Sequence, residues 1–146
     1  MFTSIVVGMD GSDTAREAVR QATVLARSVG ARIELVSAYE PVTDARLRAS
    51  IAVPEDVQWI IDPREAVEAT LAAAAAEIRE SGVEVEVFAR QGDPADAILD
   101  VAEERGSDLI VVGNKGMTGA KRFLLGSVPN KVSHHAPCSV LIIRTV

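Results

Sequence analysis

Short runs of branched aliphatic residues alternate with longer amphipathic segments along this chain, and no other feature limits its fold as strongly. Five runs predict strands: Ser4–Met9, Arg32–Tyr39, Val83–Arg90, Asp108–Gly113 and Ser139–Thr145. The first, fourth and fifth are almost continuous Val, Ile and Leu, as expected for parallel strands covered on both faces. The third alternates apolar with charged residues, which predicts a strand near an edge of the sheet.

The segments between the strands carry helix start and stop signals. Two of them begin with an Asp-Pro pair, in which the carboxylate caps the helix and the proline suits its first turn; the pairs are Asp62-Pro63 and Asp93-Pro94. Three segments end in a glycine that can adopt the left-handed conformation and turn the chain into the next strand: Gly30, Gly82 and Gly106.

This order of strands and helices predicts an α/β fold with one doubly wound, five-stranded parallel sheet and helices on both faces. The 146 residues suit a single domain over residues 1–146. Ligands of such folds bind outside the carboxyl ends of the strands, where the winding direction switches. With the first strand in the centre, that crevice lies between residues 9–12 and the connection after Gly113.

Composition restricts the partners and the compartment. The formal net charge is −6 and there is no basic tract, so nucleic acid is not an expected partner. A single cysteine, Cys138, excludes an internal disulfide and a cysteine metal cluster, and it suits a reducing cytoplasm. The longest run of small apolar residues, Leu71–Ala76, is far below the roughly 18 residues that span a bilayer. We therefore expect a soluble cytoplasmic protein without a membrane partner.

A long glycine-rich connection, GNKGMTGAKRFLLGS, joins the fourth predicted strand to the last helix. Compact α/β proteins usually make this connection in roughly 2–6 residues. Its glycines let backbone N–H groups approach an anion, and the helix start adds free donors and a positive dipole. Three cations lie in the same segment: Lys115, Lys121 and Arg122. The connection predicts a phosphate cradle, although a structural turn would also explain the glycines.

Asp10 directly follows the first strand, in the sequence VVGMDGSD, and faces the same predicted crevice. One interpretation is a carboxylate that shapes a turn or caps a helix. The other is a metal contact that holds Mg²⁺ or Mn²⁺ against ligand phosphates. Ser12 or Asp13 is the expected cap of the first helix.

Four stretches together resemble the universal stress protein family over essentially the whole chain: VVGMDGS, VSAYE, GDPADAILDVAEERGSDLIVVGNKG and LLGSV. The spacing Gly113-x2-Gly116-x9-Gly126-Ser127 is similar to that of the family's ATP-binding branch. The resemblance implies a Rossmann-like fold of the adenine nucleotide alpha hydrolase type, with strand order 3-2-1-4-5. It also implies a homodimer joined along the last strand. The implied role is binding of ATP, AMP or a cyclic nucleotide, with Mg²⁺ or Mn²⁺, to regulate a stress or dormancy response.

The resemblance also implies which residues contact the nucleotide. The ribose and adenine side would be formed by Gly8, Asp10 and the backbone of Ala38, and Asp10 would also face the metal. The ribose and α-phosphate would lie against Val112 and Gly113. The phosphate chain would contact Gly116, Arg122, Gly126, Ser127 and Val128. Pro129 departs from the family pattern, in which a small residue with an N–H is usual, and one donor is lost.

Other interpretations remain open. An adenylyl-transferring or ATP-hydrolysing enzyme of related fold is the main alternative, but neither a HIGH-type nor an SGGxDS-type signature is present. A receiver domain lacks its acidic cluster here. His134, His135 and Cys138 resemble a nucleophile with its base, although packing and the helix dipole also explain them. The Glu40 to Ile61 connection, with Trp59, is long enough for a flap.

Overall fold

The computed structural model describes residues 1–40, 62–114 and 125–145, and these ranges contain five strands and four helices. In chain order they are β1 (Ser4–Gly8), α1 (Asp13–Val29), β2 (Arg32–Tyr39), α2 (Pro63–Glu80), β3 (Val85–Gln91), α3 (Pro94–Arg105), β4 (Leu109–Gly113), α4 (Ser127–His135) and β5 (Ser139–Ile143). All five predicted strands are confirmed, with bounds that differ by two residues or fewer.

The strands form one parallel sheet in the order β3-β2-β1-β4-β5, as predicted. β1 is central, and Ile5 pairs with Ile33 on one side and with Leu109 on the other. β3 lies at an edge, as its alternating sequence indicated. The expectation that β5 is covered on both faces is wrong, because Leu141 is 38% exposed. β5 is the other edge strand, and α1 lies over β1 and β4 rather than over the middle of β5.

Successive residues of the central strands point into two different core layers. Ile5, Val7 and Leu35 pack with α1 and α2 on one face of the sheet. Val6 and Val36 pack with α3 and α4 on the other. This alternation explains why β1 and β4 are apolar without interruption. Of the helices in the described ranges, none is both long and apolar enough to cross a membrane.

The predicted capping residues hold three of the four helix starts. The side chains of Ser12, Asp62 and Asp93 accept backbone N–H groups at the starts of α1, α2 and α3. At the other ends, Gly30 and Gly106 are left-handed caps, with φ of 74° and 60°. Gly82 is also left-handed, but it follows Ser81, which occupies the cap position of α2.

A buried polar cluster at the amino ends of the strands was not predicted. Glu34 of β2 is fully buried, yet its carboxylate accepts hydrogen bonds from Arg32 Nε at 2.6 Å and Ser4 Oγ at 2.9 Å. Ser107 Oγ lies 3.0 Å from Ser4 Oγ, and Arg105 Nε lies 3.8 Å from Glu34 Oε1. The hydrogen bond to Glu34 also raises the pKa of Arg32. The cluster joins β1, β2 and the turn before β4 at the end of the sheet opposite the predicted crevice.

Candidate nucleotide site

A crevice lies at the carboxyl ends of the strands, where the connections of β1 and β4 run to opposite faces of the sheet. Eight of the ten residues predicted to contact the nucleotide line it together: Gly8, Asp10, Ala38, Val112, Gly113, Gly126, Ser127 and Val128. Gly116 and Arg122 lie outside the described residues, as do Lys115, Lys121 and Trp59. The structure thus brings together the predicted residues from β1, β2, β4 and α4.

The two ends of the glycine-rich connection meet at the crevice. Gly126 donates its N–H to the carbonyl of Asn114 at 2.9 Å, so the chain leaves and returns at one point. Asn114 is itself held by β5, because its N–H donates to the carbonyl of Ile143 at 2.8 Å. Its side-chain oxygen accepts the N–H of Thr145 at 2.8 Å. The hydrogen bonds of Asn114 therefore fix the position at which α4 begins.

The start of α4 differs from the other three helix starts. Its cap, Gly126, supplies no side-chain hydrogen bond. Asn130 donates its N–H to the carbonyl of Gly126 at 3.1 Å, and Pro129 has no N–H. Within the described ranges, the N–H groups of Ser127 and Val128 have no acceptor. Two donors and the positive end of the helix dipole therefore face the crevice.

Asp10 shapes a turn, which confirms one of its two interpretations. Its Oδ1 accepts hydrogen bonds from the N–H of Ser12 at 2.9 Å and from the Ser12 hydroxyl. Gly11 between them has φ of 82°, a conformation that favours glycine. Among the described residues, Oδ2 accepts no hydrogen bond, and Asp10 is exposed at the crevice. The carboxylate can therefore shape the turn and still contact a ligand.

The described residues contain no group of three His, Cys, Asp or Glu side chains placed to hold a metal ion. Among the described lining residues of the crevice, Asp10 is the one that could supply a carboxylate oxygen to a metal ion. Mg²⁺ commonly binds through one or two carboxylates, with phosphate oxygens and water completing its octahedron. The site therefore suits a divalent cation that arrives with a phosphorylated ligand, rather than one held by the protein alone.

Gly8 has a packing role that the sequence did not reveal. A Cβ atom at this position would lie 2.6 Å from Cδ1 of Ile98 on α3. The absence of a side chain at Gly8 lets α3 pack close to β1. Gly8 and Ile98 both line the crevice. Four further residues that line the crevice were not predicted as site residues: Met9, Ser37, Pro94 and Ile98. Of these, Ile98 could have been found from the apolar periodicity of α3.

His134, His135 and Cys138 lie away from the crevice. The two histidines are exposed in the last turn of α4, and Cys138 precedes β5. Burial, with a smaller contribution from Asp108, raises the pKa of the Cys138 thiol. The thiol is therefore protonated at neutral pH, which disfavours a nucleophile. Among the described lining residues of the crevice, Asp10 is the one acidic or basic side chain.

Comparison with known proteins shows the family of this chain. The universal stress protein family model matches residues 1–144. Universal stress protein YxiE of Bacillus subtilis is 37% identical over 150 residues, which cover 99% of this chain and 100% of that protein. A solved universal stress protein in complex with cAMP is 30% identical with a TM-score of 0.73, covering 99% of this chain and 98% of its own. The Archaeoglobus fulgidus universal stress protein in complex with dAMP is 27% identical with a TM-score of 0.67, covering 98% of both chains.

Proposed function

Since this chain belongs to the universal stress protein family, we propose that it binds an adenine nucleotide in the crevice and acts as a nucleotide-dependent regulator in a stress or dormancy response. ATP, AMP and a cyclic nucleotide are the candidate ligands. The solved relatives in complex with cAMP and dAMP support an adenine nucleotide.

The start of α4 carries the proposal. A helix start without a side-chain cap leaves N–H groups that need an acceptor, and the positive dipole favours an anion there. Ser127 and Val128 provide these groups at the crevice. A phosphate of the nucleotide would be that acceptor, with further contacts from Gly116 and Arg122.

The rest of the nucleotide would extend along the strand ends. The adenine edge would meet the backbone of Ala38, and the ribose would lie between Gly8, Val112 and Gly113. Asp10 would contact the ribose side, or Mg²⁺ or Mn²⁺ bound to the phosphates. When bound, the cation would neutralise phosphate charge.

We expect the protein to retain its nucleotide rather than to turn it over. Efficient hydrolysis needs a group that orients a water in line with the terminal phosphate. Asp10 is the one described lining residue that could act as a base, and Ser12 already holds one of its oxygens. This favours a regulator over the ATP-hydrolysing or adenylyl-transferring alternative, and turnover should stay well below about 1 s⁻¹.

We further expect a cytoplasmic homodimer that pairs through β5. This strand is at the edge of the sheet, and its exposed Leu141 lies beside the partly buried Val140 and Ile142. An apolar edge strand is an aggregation hazard unless another chain covers it. A two-fold axis would let the same strand cover itself.

The test removes one donor from α4. Gly126 has φ of −61° and ψ of 163°, the extended conformation that a residue before proline adopts. Ser127→Pro should therefore keep the helix, because proline suits its first position. The variant loses the N–H and the hydroxyl, whereas the control Ser127→Ala loses only the hydroxyl.

We expect calorimetry to show AMP binding about tenfold weaker for Ser127→Pro than for Ser127→Ala, the effect of one hydrogen bond to a charged group. Equal affinities of the two variants would overturn the phosphate position. Mass spectrometry of nucleotide released from protein purified without added ligand identifies the physiological ligand. If the purified protein releases no adenine nucleotide and also binds none of AMP, ATP and cAMP, the proposed function is overturned.

A further inference from the structure

The hydroxyl of Ser12 makes three contacts, two of which serve different purposes. It accepts the N–H of Ala15 at 3.1 Å and so caps α1. It also lies within hydrogen-bond distance of Asp10 Oδ1, a carboxylate oxygen that can only accept. The single hydroxyl proton of Ser12 must therefore point to Asp10, and Thr14, 3.0 Å away, donates in its contact with Ser12.

These contacts restrict the Asp10 side chain. The backbone N–H of Ser12 binds the same Oδ1 at 2.9 Å, so two donors from one residue hold one oxygen. Because Oδ1 moves when the carboxylate rotates about the Cβ–Cγ bond, holding this oxygen with two donors restricts that rotation more than one hydrogen bond would. Among the described residues, the remaining oxygen, Oδ2, has no donor, and Asp10 lines the crevice.

We infer that Ser12 is a positioning residue, which fixes the Asp10 carboxylate so that Oδ2 faces the bound nucleotide. The inference rests on the proposed function and adds a residue to it. Ser12 acts through Asp10. Its hydroxyl both donates to the Asp10 carboxylate and caps the start of α1. Loss of the hydroxyl would therefore affect both ligand affinity and helix stability, and the two effects can be separated.

Three substitutions separate them. Glycine is nearly as good a helix cap as serine, whereas alanine is a poor one. Ser12→Gly should therefore keep most of the thermal stability, and Ser12→Ala should lose more. Both keep the backbone N–H donor to Asp10 but lack the hydroxyl donor, and they should bind AMP about three- to tenfold more weakly in calorimetry. Ser12→Thr keeps a hydroxyl and should restore both stability and affinity.

The Asp10→Ala background provides the decisive measurement. If Ser12 acts through Asp10, then Ser12→Gly should not weaken AMP binding any further in that background, because contacting residues are not additive. An equal loss in both backgrounds would overturn the inference, and so would wild-type AMP affinity in Ser12→Gly. The proposed function would survive either result, since wild-type protein would still bind AMP. If wild-type protein does not bind AMP, the inference is overturned. If it binds neither ATP nor cAMP as well, the proposed function is also overturned.

Discussion

Replacing Pro129 with alanine should strengthen nucleotide binding while weakening the fold. Pro129 is the third residue of α4, is buried, and lines the crevice. At this position an ordinary residue would offer a third free N–H beside those of Ser127 and Val128. Pro129→Ala supplies that donor without adding charge or bulk.

The expected gain in AMP affinity follows from the one N–H donor that the substitution adds. A hydrogen bond to a charged group contributes about 1.5–3 kcal/mol. We take about 1.5 kcal/mol, because a phosphate already bound by two donors must adjust to accept a third. The affinity for AMP should therefore rise about tenfold. Without ligand, the loss of proline should cost about 0.4–1 kcal/mol by freeing the unfolded chain.

Calorimetry with AMP measures the gain, and adenosine serves as the control ligand because it has no phosphate. Thermal unfolding of the ligand-free variant measures the loss of stability. Unchanged AMP affinity would refute the position of the phosphate at α4. An equal gain for adenosine would show that the smaller side chain had merely enlarged the crevice.

Three further predictions concern the scaffold. Arg32→Ala should destabilise the fold by about 3 kcal/mol in chemical denaturation, because it leaves the fully buried Glu34 carboxylate without its closest cation; a loss below about 1 kcal/mol would contradict this role. Gly8→Val should cost about 1–3 kcal/mol by overpacking against Ile98 and should block AMP binding; normal affinity would place the ligand elsewhere. Leu141→Lys should shift the protein toward monomer in sedimentation, whereas Val87→Lys, equally 38% exposed on the opposite edge strand, should not. A wild-type monomer at micromolar concentration would contradict the dimer.

The sheet and its crevice could be predicted because their signals are local. Apolar runs mark β1 and β4, Asp-Pro pairs mark two helix starts, and parallel topology then places the strand ends together. Gly8 was recognised as a crevice residue, but its packing against Ile98 was not, because that contact joins positions distant in the sequence.

Glu34 shows the limit of local patterns most clearly. It lies between Ile33 and Leu35, so its pattern alone predicts a side chain in water. The structure buries it, because its carboxylate accepts hydrogen bonds from Ser4 of the neighbouring strand and from Arg32, two residues earlier on the same face of β2. β5 shows the opposite case. Its continuous apolar sequence predicts full burial, but its place at the edge leaves Leu141 exposed.

The hydrogen bond between Gly126 and Asn114 holds together the two residues between which the connection from β4 to α4 runs. Doubling the length of a flexible loop costs only about 0.6 kcal/mol once its ends are held together. We therefore expect that a change in the length of the connection between Asn114 and Gly126 costs the fold little and alters the groups that it presents to the crevice. Mutation can therefore alter ligand preference here independently of the core, and the segment is a natural point for grafting a different recognition loop.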